Sequence, residues 1–131
     1  MRDGAYFDNV NFKCPRVDAV AGTALLMTGA YPRVNGVPSA MTYNAEKRIP
    51  QHVLTDTRYM GNFTNETFSP MSLKVSTIGD EVKLDNNGLG GVYAVAPDAQ
   101  VALILAGHAA NSAFWISEAT GNWATTKFYK E

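Results

Sequence analysis

Short apolar runs separated by glycine and proline set the rhythm of the chain, and runs of that length between breakers read as strands. The segment Leu73-Lys74-Val75-Ser76-Thr77-Ile78, followed by Gly79-Asp80 and then Glu81-Val82-Lys83-Leu84, alternates apolar and polar positions on both sides of a Gly-first pair. A type II′ turn at Gly79-Asp80 places Leu73, Val75, Val82 and Leu84 on one face. Lys74, Ser76, Glu81, Lys83 and Asp85 then share the other. A second hairpin is predicted from Ala113–Thr120 and Trp123–Tyr129 around Gly121-Asn122. That register sets Trp115 opposite Phe128 and Phe114 opposite Tyr129, leaving aromatics on both faces of the ribbon. Such a ribbon has either a core on both sides or a partner on one. A third hairpin joins Val92–Ala96 to Val101–Leu105 through Pro97-Asp98. Its second arm is continuously apolar and hence central.

Tyr6–Phe12 and Ala24–Thr28 are further strand candidates. Helix is expected only between residues 39 and 60, as one or two short pieces: Ser39–Arg48, and Pro50–Met60 closed by Gly61. The expected architecture is a single domain over residues 1–131, all-β or β-dominated α+β. It takes the form of a compact sandwich or small open barrel of antiparallel hairpins. Residues 1–9 are either an N-terminal arm that orders on a neighbour or an ordinary edge strand.

Composition changes this picture little but excludes much. Only 18% of the 131 residues are charged and the net charge is -1, which argues against a polybasic nucleic-acid binder. The single cysteine, Cys14, permits no internal disulfide and no Cys-rich zinc site. The longest apolar stretch, Val101–Ala106, is far short of the ~20 residues of a membrane span. No secretory leader is visible, so Asn62-Phe63-Thr64 and Asn65-Glu66-Thr67 read as chance triplets, not glycan acceptors. A soluble protein of a reducing compartment is expected.

Candidate chemistry is sparse. His52 and Asp56 stand four apart, one helical turn, but no nucleophile neighbours them. His108 lies in a small-residue loop, and Lys13 beside Cys14 gives that thiol a cation. Gly88-Leu89-Gly90-Gly91 lacks the Lys-Ser/Thr of a phosphate loop, and the strand pattern after it replaces the helix such a loop opens. Asp80, Glu81 and Asp85 read as a solvated charge ladder. No catalytic, cofactor-binding or metal-ligating set emerges, and no cofactor is expected. The remaining signal is a surface rich in uncharged groups with aromatics near the ends, where Tyr6, Phe7, Phe114, Trp115, Phe128 and Tyr129 form a candidate interface.

Low charge, one cysteine, and turn-rich stretches such as Gly29-Ala30-Tyr31-Pro32-Arg33-Val34-Asn35-Gly36-Val37-Pro38 make the chain resemble, in composition, the small structural proteins of tailed-phage virions, capsid decoration (cement) proteins in particular. That resemblance implies a non-enzymatic virion component assembled in host cytoplasm. It would be a homo-oligomer bound to capsid or other virion proteins, with no nucleic acid or membrane partner. The alternatives are a soluble β-sandwich binding module for a glycan or protein, with Trp123 or Tyr31 as ligand platforms, and a small enzyme whose site is assembled from scattered residues.

Overall fold

The computed structural model describes residues 3–14 and 17–129. Its helices form where an acceptor side chain precedes a run of helix formers and a left-handed or flexible residue follows. Helix α1, Ala19–Thr28, starts at Asp18, whose Oδ1 accepts the Ala21 N–H at 2.8 Å. It stops at Gly29, in the left-handed region at φ 65°. A four-residue helix α2, Pro32–Asn35, closes on Gly36 at φ 83°. Helix α3, Ile78–Asp85, opens with a capping box between Thr77 and Asp80. Helix α4, Ala99–Ala106, is capped by Asp98 and ends at Gly107.

Two strands, β1 (Met41–Asn44) and β2 (Ile49–His52), pair antiparallel as a separate hairpin. The main sheet contains β3 (Gly61–Asn62), β4 (Tyr93–Val95), β5 (Ser112–Ile116) and β6 (Trp123–Thr126), in the order β3-β6-β5-β4. β4 and β5 run parallel and the other pairs antiparallel. β4, α4 and β5 therefore form a βαβ crossover. Helix α4 lies between the sheet and α1, with Ala102, Leu103, Ile104 and Ala106 fully buried. Leu103 and Ile104 each contribute roughly 1.5–3 kcal/mol through burial. Trp115, Ala113 and Ala124 complete the core from the sheet, and Val20, Ala24, Val37, Leu54 and Leu73 close it from the other side.

The fold is thus mixed α/β, and the expectation of an all-β sandwich or barrel is overturned. In the expected Leu73–Leu84 hairpin, Gly79-Asp80 is the first turn of α3, because Thr77 and Asp80 satisfy one another's backbone N–H groups. Gly79 serves a different need: a Cβ there would approach Val92 Cγ1 at 3.0 Å and the Ala106 carbonyl at 3.1 Å. The expected strand Val101–Leu105 lies within α4. A short apolar run of this kind fits a buried helix as well as a buried strand, and the Asp98 cap decides it. Ala24–Thr28 belongs to α1 for the same reason. Tyr6–Phe12 is exposed and in no regular element. Met1 and Arg2, the start of the expected arm, lie outside the described residues.

The helices expected over residues 39–60 are instead the β1–β2 hairpin and a loop. Asn44 Oδ1 accepts from the Glu46 and Lys47 N–H groups at 3.0 Å each, a turn that competes with helix. Arg48 sits at φ 54°. The Trp115 ribbon does form, in another register: Trp115 faces Ala124 and Ile116 faces Trp123. A six-residue connection, residues 117–122, replaces the two-residue turn: the Ser117 N–H donates to the Asn122 carbonyl at 2.9 Å and the Gly121 N–H to the Ser117 carbonyl at 2.8 Å, with Gly121 at φ 68°. The expected pairs Trp115–Phe128 and Phe114–Tyr129 are not formed.

Gly107 tests the packing of α4 against α3. It has φ 76°, and a Cβ there would collide with Thr77 Oγ1 and Asp80 Oδ2. Gly107→Ala should lower stability by roughly 2 kcal/mol or more in urea melts. Gly29→Ala, at φ 65° with nothing within 4 Å, should cost about 1 kcal/mol. Equal losses would show that the α3–α4 contact does not constrain the fold.

Candidate functional site

In open α/β sheets, ligands bind beyond the carboxyl ends of the parallel strands. Here that position lies past Val95 and Ile116, at the N-terminus of α4, and it holds a small cleft. His52, Glu66, Asp98, Gln100, Trp115 and Glu118 are among its lining residues. Its volume of about 60 Å³ accommodates on the order of two waters. The hairpin β1–β2 delivers His52, α4 delivers Gln100 from its second position, and β5 delivers Trp115.

Gln100 is buried and held from both ends of its amide. Its Nε2 lies 3.0 Å from His52 Nδ1, and its Oε1 accepts the Leu54 N–H at 3.3 Å. The His52 ring stands edge-on to Phe68 at 5.4 Å. Glu66 Oε2 accepts from Trp115 Nε1 at 2.9 Å and from Thr64 Oγ1 at 3.0 Å. The cleft therefore carries three carboxylates, from Glu66, Asp98 and Glu118, and no Lys or Arg. Asp98 already occupies the end of α4 where an anion would bind. A phosphate dianion entering this cleft would meet like charge with no cation opposite. Among the described residues, no group of three or more His, Cys, Asp or Glu side chains is placed to hold a metal ion.

The second polar centre is Asp80. Its Oδ1 accepts the His108 and Ala109 N–H groups at 2.7 Å each. Its Oδ2 accepts from the Thr77 N–H at 2.9 Å and the Thr77 hydroxyl at 3.2 Å, and faces His108 Nδ1 at 3.1 Å. His108 Nε2 faces the Leu73 carbonyl at 2.9 Å. Both ring nitrogens thus meet acceptors, and the imidazole fills both bonds only when each nitrogen carries hydrogen. Burial pushes the Asp80 carboxyl up, but the hydrogen bonds from Thr77, Ala109 and His108, together with the His108 charge, outweigh it. The group is held below its ordinary 3.8. Asp56 is held at about 2, chiefly by the Arg58 side chain, with burial opposing and the Ser69 hydroxyl assisting. These carboxylates cap and tie; the hydroxyls that donate to them, Ser69 and Thr77, are both buried away from solvent.

The residues singled out from sequence are scattered. Tyr6 and Phe7 are exposed far from the cleft, and Trp115 is buried in its wall. Phe114 projects from the opposite face of β5. Phe128 is half-buried between Tyr59 and Tyr129, with ring centroids 5.0 Å from each. Tyr129 is buried and its hydroxyl donates to the Gly107 carbonyl at 2.6 Å. Burial, with the nearby Asp80 charge, pushes that phenol well above its ordinary range. Cys14 is half-exposed and free. His52 and Asp56 do not share a helix face, because His52 ends β2. His108 is backbone-bonded, while Asp80 is a half-buried connector between α3 and the loop after α4 and not part of a solvated ladder. Sequence reasoning passed over Gln100 and Glu66; only the recognition of β4–α4–β5 as a crossover, with Gln100 just inside the second strand-to-helix junction, would have drawn attention to them.

A crossover sheet with a helix packed on it is an α/β architecture, and known proteins share it. No family model matches the chain. It is 26% identical over 134 aligned positions to alkaline phosphatase PafA of Elizabethkingia meningoseptica, matching 98% of this chain and 24% of that protein. It is 26% identical over 113 residues to alkaline phosphatase PhoV of Synechococcus elongatus, matching 84% of this chain and 20% of that protein. A crystal structure of a PafA mutant superposes on 86% of the chain and 23% of its own length, with a TM-score of 0.79 and 25% identity. The chain therefore spans about a quarter or less of the curated relatives it matches. These similarities overturn the resemblance to phage decoration proteins and the non-enzymatic virion function drawn from it: that resemblance rested on composition alone, whereas these follow residue order and fold. Among the described residues no helix is long and apolar enough to cross a membrane.

The sign of the pH response follows from the lowered carboxylates. A carboxylate whose folded-state value lies below its unfolded one contributes stability that is complete above the unfolded value and lost as pH falls through the folded value. Stability should hold down to about pH 5 and decline toward about pH 2 as Asp80 and Asp56 take up protons. Asp80→Asn should lower stability at neutral pH by roughly 1–3 kcal/mol and flatten part of the acid decline. Urea melts across that range that superimpose for the two proteins would refute the role given to Asp80.

Proposed function

We propose that this chain is part of an alkaline-phosphatase-type protein and acts in the hydrolysis of phosphate monoesters. The observation that carries this reading is the agreement of nearly the whole chain, in sequence order and in three dimensions, with alkaline phosphatases. The crossover β4–α4–β5 places its cleft where α/β enzymes hold their ligands. The residues present give the reading a definite division of labour. Gln100, His52, Glu66 and Trp115 form a rigid hydrogen-bonded floor, and Asp80 fixes the helix ends behind it. A nucleophile and the positive charge needed against a transferring phosphoryl group are not gathered in this cleft, so its residues act as scaffold and not as the reacting centre.

The test is p-nitrophenyl phosphate hydrolysis at alkaline pH. The protein isolated from its native cells should release p-nitrophenolate, and the 131-residue chain produced alone should not. Gln100→Ala in the complete protein should reduce kcat/KM by about tenfold, by releasing His52 and the Leu54 N–H and so loosening the scaffold that positions the reacting groups. A native protein that hydrolyses no phosphate monoester would overturn the reading.

A further inference from the structure

The Gln100 amide has one orientation that its surroundings accept, and that orientation decides where the His52 ring carries its hydrogen. Gln100 and Leu54 are both buried. The Leu54 N–H meets one end of the amide at 3.3 Å, and His52 Nδ1 stands 3.0 Å from the other. A buried N–H needs an acceptor, and of the two ends only the amide oxygen is one. The reverse orientation would set the amide nitrogen against the Leu54 N–H, donor against donor. The amide nitrogen therefore faces the ring, and it donates there, because it has no acceptor capacity. His52 Nδ1 is the acceptor of that bond, so the hydrogen of the neutral imidazole lies on Nε2. The Phe68 ring, edge-on at 5.4 Å, packs the imidazole from the side. Nε2 bonds no other described residue and His52 is exposed, which leaves that N–H open to a ligand in the cleft His52 lines.

We propose that Gln100 is a positioning residue that fixes His52 as the Nε2–H tautomer, and that this N–H is the donor with which the cleft holds a hydroxyl on the alcohol part of a phosphate monoester. The identity of that ligand rests on the phosphate-monoester reading; the tautomer does not. Charge selects the group. Glu66, Asp98 and Glu118 line the cleft and no Lys or Arg does, so a phosphate dianion is repelled where an uncharged oxygen is not. A hydroxyl answers both kinds of wall, since it accepts from His52 Nε2 while donating to a carboxylate. The volume of about 60 Å³ suits a hydroxymethyl group, being on the order of two waters. His52 thus holds the part of the ester that is not transferred, in keeping with a cleft that lacks the reacting groups.

Nitrogen NMR of protein labelled with 15N-histidine reads the tautomer directly at about pH 9, above the ordinary imidazole value of ~6.5. The chain has two histidines, and His52→Gln identifies which signals belong to His52. Its Nδ1 should show the shift of a bare acceptor nitrogen and its Nε2 that of a protonated one. Gln100→Glu presents only acceptors, so it should exchange the two shifts. Gln100→Met, which keeps the size and removes both bonds, should move them toward the mixed values of free imidazole. A side chain that merely fills space would do neither. Hydrogen on Nδ1 in the unsubstituted protein, or shifts that neither substitution moves, would overturn the positioning role. Activity of the complete protein tests the donor. In His52→Phe, the ratio of kcat/KM for glycerol 2-phosphate to that for phenyl phosphate should fall about fivefold, the loss of one neutral hydrogen bond. His52→Gln, whose amide nitrogen again donates, should restore most of the ratio. Equal losses on both esters would overturn the ligand assignment, because the donor would then serve the phosphate they share. A native protein inactive on both esters defeats the proposed function and the ligand with it, while the NMR result still decides the role of Gln100.

Discussion

The Asp80 carboxylate holds the helical side of this structure in place. It sits at the third position of α3, where the capping box requires an acceptor, and it reaches out of that helix to the His108 and Ala109 N–H groups just past α4. One side chain therefore ends two helices. His108 extends the tie to the Leu73 carbonyl, and Tyr129 reaches the Gly107 carbonyl from the end of the chain. Glycine is required at 107 because the backbone passes so close to Thr77 and Asp80 that no Cβ fits. Charge-assisted hydrogen bonds of this kind are roughly twice as strong as neutral ones, and replacing the acceptor leaves several donors unmatched at once.

The same residues explain why the sequence misleads. Thr77-Ile78-Gly79-Asp80 contains a capping box and a Gly-Asp turn pair in four letters, and the alternating pattern around it favours the turn. Only the capping box fits the buried surroundings, where Gly79 must pack against Val92 and Ala106. Asp18 and Asp98 carry the same information at α1 and α4: each is an acceptor directly before a run rich in Ala and Leu, and a glycine follows at 29 and 107. Read as helix start and stop signals, those two pairs outline α1 and α4, and the capping box marks the start of α3. Read as breakers between apolar runs, they produce hairpins. The β1–β2 hairpin was hidden by the opposite fault, since its turn is set by Asn44 accepting from the backbone, a local contact that no apolar period reveals.

The Trp115 ribbon shows what periodicity does fix. Its register differs from the expected one by an even number of residues, and an even slip leaves every side chain on its original face. Trp115 and Ala124 share one face and Phe114 takes the other under either pairing, so the grouping within the strands was legible, although the partners, the inward face and the burial of Tyr129 beyond β6 were not. The cleft was illegible because its parts, His52, Glu66, Gln100 and Trp115, come from separate stretches of the chain with no common spacing. Gln100 in particular is an ordinary residue until α4 buries it beside His52.

Chemistry and architecture are therefore unevenly distributed within this chain. Its buried and half-buried polar groups are matched to one another: the Gln100 amide to His52 and Leu54, Glu66 to Trp115 and Thr64, Asp80 to its five donors. A group fully engaged in this way is held in one orientation, which suits the wall of a site better than a reacting centre that must exchange partners during a turnover. The apolar balance tilts the other way, because apart from Trp115 the larger side chains of the sheet point away from α4. A fold that satisfies its polar groups internally while leaving its bulkiest apolar row outward is stable in its hydrogen bonding and incomplete in its burial. Both features suit the supporting part of a site, the role proposed for these residues.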